Sequence, residues 1–425
     1  MAARRQRESH FLLELFYEVW YKGVRPFFCN RVLEMIPLID KQIFLVIALI
    51  LISTKALAIA MRRFNLPQVV GALIAGVLLG PSVLQLFEPS ETISVIAEFG
   101  VIFILFAAGL ETDFRQLRHT IKSSLLISAL GVALALGGGF AVAYFFGYSS
   151  FESFFVGVII ASMSTSITVE ALTEMGKLKT KTGTALLGAS LFDDILVIVI
   201  LAIVMGMGEG GFSVGALAVL LLKIVAFFAF AIVAGMLVHR AFDWWVGHFG
   251  EKRRLSIFAL SYCFLMAYLA ELLGLADITG AYLAGIAFCS TRYVETLETR
   301  THSLSNLFFT PVFLANIGLH TSFSGMSGNM VMFTAILVVV AMLSKLFGCG
   351  LGARVSKFSN KESFQVGVGM IARGEVSFNV AAKGIGRDFI DPLMYPIVIV
   401  VVLATVFVTP LLLKAAYSEK KEAAA

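Results

Sequence analysis

Apolar runs follow one another from residue 37 to residue 416, separated by short polar breaks. A helix needs about 20 mostly apolar residues to span a hydrocarbon core about 30 Å thick. Measured against that length, the pattern predicts thirteen helical spans, near 37–61, 66–87, 91–110, 119–147, 152–173, 183–207, 212–239, 255–274, 277–291, 303–320, 330–354, 363–384 and 391–416. The expected fold is therefore an all-α polytopic membrane protein occupying 37–416, with a short tail at 417–425. Upstream, Phe11 to Phe28 mixes apolar bulk with Glu14, Glu18, Lys22 and Arg25. Residues 1–36 thus predict an interfacial amphipathic segment rather than a fourteenth span.

The same pattern contains an internal repeat. Gly71-Ala72-Leu73-Ile74-Ala75-Gly76 recurs 209 residues later as Gly280-Ala281-Tyr282-Leu283-Ala284-Gly285. Gly109, Leu110, Thr112 and Phe114 recur at the same offset as Gly318, Leu319, Thr321 and Phe323. Seven predicted spans separate the copies, and an odd number reverses direction. The halves, about 37–207 and 255–416 with a linker helix at 212–239, are therefore expected to be inverted repeats. That is an architecture of secondary transporters, whose binding sites lie at the repeat interface near the midplane.

Composition agrees: 59% of residues are hydrophobic and 14% charged, against about 25% charged in a soluble domain. A soluble enzyme is excluded on that ground. Cys29, Cys263, Cys289 and Cys349 are isolated and form no metal or redox spacing. No short apolar core with a cleavage site follows Arg4 and Arg5, so no cleaved signal is expected. Charge placement orients the spans. One set of connections carries Arg62, Arg63, Arg115, Arg118, Lys177, Lys179 and Lys181, and continues basic through Arg240–Arg254, Arg292–Arg300 and Arg354–Lys361 to Lys421. The opposite set carries only Arg387. The positive-inside rule makes the first set and the C-terminus cytoplasmic and puts the N-terminus outside. Arg4, Arg5, Arg7, Lys22, Arg25 and Arg31 conflict with that placement, a conflict that vanishes if 11–28 crosses.

Against this background a few charges stand out. Asp193-Asp194 is the only charged pair between Thr184 and Met207. A carboxylate at the bilayer centre costs at least about 2.5 kcal/mol, and two adjacent ones repel. Such a pair is expected to bind a proton or a cation. Lys345 lies nine residues before Arg354, about 13 Å from the cytoplasmic helix end, too deep for its side chain to reach water fully. It is expected to pair with Asp193.

Two spans are expected to break near these charges. Ser162, Ser164, Thr165, Ser166 and Thr168 supply five hydroxyls in seven residues, able to satisfy backbone groups freed by unwinding and to offer neutral oxygens to a hard cation. The repeat offset carries 162–168 onto 371–377, which holds Arg373, Gly374 and Glu375. Arg373 and Glu375 have two readings, an ion pair supporting the broken helix or a part in transport. Glu98 reads as a polar contact between helices or the wall of a water-filled funnel. Glu170 and Glu174 read as a solvated helix end or an access funnel, and His320 lies near an outer end.

Chemically, a small cation binds only to an ionised carboxylate, and protonation expels it. If the site can face either side of the membrane in turn, this competition gives cation/proton exchange. The two aspartates form one coupled unit.

The chain resembles the monovalent cation:proton antiporter-2 family of sodium/proton antiporters over about 37 to 416. The resemblance rests on GALIAGVLLGP at 71–81, AEFGVIFILFAAGLETD at 97–113, STSITVEALTEMG at 164–176, LFDDI at 191–195, FFTPVFLANIGL at 308–319, LSKLFGCGLGAR at 343–354 and GVGMIARGEV at 367–376. It implies a homodimer whose core domain moves like an elevator, with broken helices at 152–173 and 363–384. It implies that Asp194 is the principal ion-binding aspartate, that Asp193 precedes it, and that Lys345 is its lysine partner in electrogenic members. Many relatives carry Thr-Ser where this chain has Met163-Ser164, which removes one candidate ligand oxygen. Potassium-efflux relatives typically carry Gln-Asp and a soluble nucleotide-binding domain; Asp193-Asp194 and a chain ending at Ala425 favour sodium.

The expectation is a bacterial inner-membrane antiporter exchanging Na+, and also Li+, for H+ by alternating access, electrogenic in stoichiometry. Asp194 and Asp193 are the expected Na+ ligands, with Ser164 and Thr165 completing the site, Lys345 as charge partner, and Arg373, Gly374, Glu375, Ser166 and Thr168 supporting the broken helices. No cofactor is expected beyond the transported ions, and no nucleic-acid partner. The competing expectations are K+/H+ exchange by the same mechanism, a sodium-coupled organic solute symporter, and a non-transporting membrane sensor.

Overall fold

A computed structural model describes residues 39–64, 66–208, 213–249, 252–321 and 328–418 of the chain. The proposed amphipathic segment at 11–28 and the C-terminal residues 419–425 lie outside the described residues. The helices are α1 (Ile39–Arg63), α2 (Gln68–Leu79), α3 (Glu91–Leu110), α4 (Phe114–Phe145), α5 (Ser150–Ala161), α6 (Thr165–Glu174), α7 (Lys181–Gly208) and α8 (Val214–Phe249). They continue with α9 (Lys252–Leu272), α10 (Asp277–Phe288), α11 (Val294–Leu304), α12 (Thr310–Leu319), α13 (Gly328–Val355), α14 (Asn360–Gly369), α15 (Glu375–Ile385) and α16 (Met394–Tyr417). No strand occurs among the described residues.

Local chemistry starts several of these helices. Ser90 and Asp113 accept backbone N–H groups at the heads of α3 and α4. Ser149 with Glu152, and Ser359 with Glu362, form full capping boxes on α5 and α14. Each box satisfies two orphan donors where the chain enters the apolar layer.

Nine helices among the described residues are long and apolar enough to cross a membrane, counting α5–α6 as one span. The helices α2 and α10 have 12 residues each, about 18 Å, shorter than the predicted 66–87 and 277–291. Gly80-Pro81 closes α2, and a turn through Cys289 closes α10. The predicted span at 303–320 is preceded by a separate polar helix from Val294, because the stretch VETLETRTHSL is itself helical. A π-helical turn, Ser305–Phe309, joins α11 to α12. Pro311 follows it; its ring would clash with the carbonyl four residues back, and the wider turn relieves that contact.

The repeat is visible in paired backbone contacts. A Cβ on Gly76 would lie 2.0 Å from the Ala315 carbonyl oxygen, and one on Gly285 would lie 2.3 Å from that of Phe106. Likewise Gly109 faces the Tyr282 oxygen and Gly318 the Leu73 oxygen, at 2.3 Å and 2.5 Å. Every member of one contact maps onto the other at the 209-residue offset. Further on, the register slips by one. Ser150 and Thr165 open the half-helices of the first repeat, and Asn360 and Glu375 open those of the second, 210 residues on. The Gly157–Leu136 and Gly367–Leu346 contacts obey the same 210. The expected mapping of 162–168 onto 371–377 is thus one residue short, because the second repeat carries one extra residue after α12.

Helix packing forms two groups. One comprises α1–α3 and α9–α12; the other comprises α4–α7 and α13–α16. They meet through α6 and α16 against α2 and α3, and α8 touches both.

Candidate functional site

Both predicted helix breaks are present, and they cross. Between α5 and α6, Ser162 is extended, and Ser164 caps α6 without a side-chain bond. Between α14 and α15, residues 370–374 are non-helical. The Ser164 N–H donates to the Ala372 oxygen at 2.8 Å, Ser162 Oγ meets Ser377 Oγ at 2.7 Å, and Thr168 Oγ1 donates to the Gly369 oxygen at 2.6 Å. The hydroxyl-rich stretch therefore does what lipid requires: it bonds backbone groups that the break sets free. Ser164 and Ser166 also meet, at 3.1 Å. Gly374 sits where a Cβ would come 2.6 Å from Ser164 Oγ, so the crossing needs a bare backbone there.

Asp193 and Asp194 occupy the middle of the 28-residue α7. Adjacent helical positions point about 100° apart, so the two carboxylates face different neighbours. Asp193 turns toward α13, where the Lys345 ammonium donates to its Oδ1; both side chains are fully buried. Snorkelling of Lys345 is excluded. Gly131 on α4 leaves room for Cys349 Sγ, one turn along α13 from Lys345, and Ser128 on the same helix faces Asp193.

Asp194 turns the other way, into a small cavity of about 10 Å³, room for roughly one water-sized sphere, lined by Leu105, Thr165, Leu187, Ser190, Leu191, Ile278, Thr279 and Tyr282. Two lining hydroxyls, Thr165 Oγ1 and Thr279 Oγ1, are buried without a hydrogen-bond partner. Tyr282 is held by Thr112 at 3.1 Å. The cavity thus lies between α6 and α7 of one packing group and α3 and α10 of the other.

Arg373 is fully buried, and it does not pair with Glu375. Its guanidinium donates to the carbonyls of Met370, Ile371 and Ala341 at 3.3, 2.7 and 2.8 Å. A cation there meets the partial negative end of α14 and closes the Met370 and Ile371 carbonyls freed at the break, while tying them to the Ala341 carbonyl within α13. The expected ion pair fails because these carbonyls compete for the guanidinium. Glu375 heads α15 with both carboxylate oxygens buried and unbonded, within electrostatic reach of Asp194.

The remaining acids divide by location. Glu174 is exposed, and it also accepts the N–H groups of Gln68 and Val69 at 2.7–3.3 Å, so it caps α2 rather than ending in solvent alone. His302 meets Glu111 at 2.5 Å beside Glu170 and Glu298. His320 bonds the Asn316 carbonyl. Met163 is buried at the break. Among the described residues no cluster of three or more His, Cys, Asp or Glu is arranged as metal ligands. Sequence reasoning missed Ser190, Thr279 and Tyr282 as cavity residues. The signal for Thr279 lay beside the repeat: the first copy reads Val70-Gly71, the second Thr279-Gly280.

Inverted helical repeats with two crossed broken helices, and ionisable side chains buried beside the crossing, define the class of secondary ion transporters. The chain belongs to the sodium/hydrogen exchanger family, whose transmembrane region matches residues 45–417. It is 37% identical over 383 residues to the Na+/H+-K+ antiporter GerN of Bacillus cereus, covering 90% of this chain and 98% of that one. It is 35% identical over 385 residues to a Na+/H+ antiporter of Enterococcus hirae, covering 88% and 98%. The sodium proton antiporter MjNhaP1 of Methanocaldococcus jannaschii, solved at pH 8, has the same fold with a TM-score of 0.67, at 18% identity over 88% of this chain and 95% of that one.

Proposed function

We propose that this multi-pass membrane protein exchanges Na+ for H+, with proton and cation competing for Asp194. The observation that carries the reading is the division of the aspartates: Asp193 is committed to Lys345, while Asp194 alone faces the cavity. Asp194 holds Na+ when ionised and releases it when protonated. Thr165 and the backbone oxygens freed near Ser164 complete its shell, hard-cation ligands of the kind an ion stripped of water requires. Arg373 and Gly374 keep the crossing assembled, as Ser166 and Thr168 do from the other side.

The Lys345–Asp193 ion pair beside Asp194 supports exchange of more than one proton per Na+. The sparse contact between the two packing groups supports an elevator motion of α4–α7 and α13–α16 past the rest, within a homodimer. We assign thirteen crossings, the bacterial inner membrane and a cytoplasmic C-terminus on the charge pattern.

A second reading, K+ as an alternative cargo, is favoured by the Na+/H+-K+ activity in the name of GerN. Proton flux in proteoliposomes challenged with Na+, Li+ and K+ separates the two. Na+-driven flux lost in Asp194→Asn is the expected result; undiminished flux in that variant removes the assignment.

A further inference from the structure

Resting on the antiport reading, we propose that Thr279 supplies a ligand to the transported cation from across the interface between the two packing groups. Four observations meet at this residue. It lines the same cavity as Asp194, opposite it in the packing: Thr279 stands on α10, and Asp194 and Thr165 stand on α7 and α6. Its hydroxyl is buried and unbonded, like that of Thr165. Several other buried threonines return their hydroxyls to a carbonyl three or four residues back, as Thr112, Thr321 and Thr409 do at 2.6–2.7 Å. Thr279 is the third residue of α10 and has no preceding helical turn to bond to. A hydroxyl left unbonded in an apolar layer is costly, and a cation on Asp194 would use its lone pairs.

The repeat supplies the fourth observation. The neighbouring glycines, Gly71 and Gly280, pack against Leu57–Ala58 and Met266–Ala267 in the same way. The position equivalent to Thr279 is Val70, also buried. The backbone environment therefore accepts a β-branched side chain without a hydroxyl. Oxygen appears only in the copy that faces Asp194.

Because its ligands come from both groups, the cation is fully coordinated only in the arrangement seen here. Sliding one group past the other strips Thr279 from the ion while Asp194 and Thr165 travel with it. The hydroxyl thus sets affinity on one side of the membrane, not on both.

The test uses the full chain as Thr279→Val, Thr279→Ser and Asp194→Asn. Na+-dependent proton flux is measured in membrane vesicles of both orientations, and Na+-dependent thermal stabilisation in the purified protein. Thr279→Val is expected to weaken apparent Na+ affinity on the order of tenfold from one side only, with Thr279→Ser staying within about twofold of wild type. An unchanged Na+ affinity in Thr279→Val, or an equal shift from both sides, overturns the proposal. If Asp194→Asn still loses its Na+ response in those cases, the antiport reading survives alone. Wild-type protein with no Na+ response overturns both. If Thr279→Val does not fold, Thr279→Ala carries the same expectation.

Discussion

Lys345 and Asp193 form a fully buried ion pair between α13 and α7, one helix from each repeat. At the equivalent positions, 210 residues away, stand Ala135 and Leu403, both buried and apolar. Breaking a buried pair from one side leaves an uncompensated charge, at about 3–5 kcal/mol, whereas replacing both partners by apolar groups is often neutral. Lys345→Ala is expected to lower thermal stability strongly, and Lys345→Met with Asp193→Leu to recover most of it. The double variant is expected to fold without electrogenic flux. Thermal unfolding with voltage-dependent transport checks both. A double variant no more stable than Lys345→Ala would contradict the argument.

Arg373 bonds two carbonyls at the second break and one on α13. Hydrogen bonds from a charged donor contribute about 1.5–3 kcal/mol each when buried. Arg373→Met is expected to destabilise the crossing by at least that much and to abolish flux. Arg373→Lys is expected to recover only part, because an ammonium lacks the fork that spans α13 and α14 together. Urea or thermal denaturation ranks the variants.

The paired glycine contacts make a symmetric prediction. A methyl group at Gly76 or at Gly285 must displace a backbone carbonyl, Ala315 in one case and Phe106 in the other. Overpacking of this kind costs about 1–3 kcal/mol or more. Gly76→Ala and Gly285→Ala are expected to lose similar stability. Gly137, around which a Cβ would meet nothing, is expected to tolerate alanine. Unequal losses at the paired sites, with Gly137→Ala as damaging, would count against the repeat geometry.

His302 lies in the polar helix α11, outside the apolar spans, and its pKa is raised, first by the hydrogen bond to Glu111, with Glu170 and Glu298 adding to it against burial. A group whose folded pKa is raised contributes stability fully below its unfolded value, about 6.5, and loses it as pH rises through the folded value. Wild-type melting temperature is therefore expected to fall as pH climbs above neutrality, and His302→Gln to flatten that part of the profile. A profile that His302→Gln leaves unchanged would refute this.

Much of the site was legible because membrane burial makes polar residues conspicuous. Asp193, Asp194, Lys345 and the two breaks announced themselves by cost, and the structure brings all of them to one place. The inverted repeat followed from two glycine motifs whose spacing reflects close backbone approach. What escaped reading depended on geometry between elements. The direction of Arg373 was hidden because carbonyls carry no sequence signature. The short α2 was overrun by an apolar loop that hydropathy cannot distinguish from helix, and α10 by the three residues of its closing turn. Thr279 looked like any first-turn threonine until the cavity showed what it faces. The one-residue slip after α12 needed the half-helix boundaries themselves.

At Gly76 with Ala315, and again at Gly285 with Phe106, helices touch backbone to backbone, with no side chain between them. All four belong to the group made of α1–α3 and α9–α12. Packing of that sort has no ridge that can ratchet into a neighbouring groove, so these helices are held as one unit, as Gly157 against Leu136 and Gly367 against Leu346 hold the other group. Between the groups, polar contacts run through side chains: Glu174 to the head of α2, and Lys179 to Glu298 at 3.4 Å. In the proposed transport cycle, a shear that carries Asp194 would run between the two groups, because glycine contacts lock each of them from within.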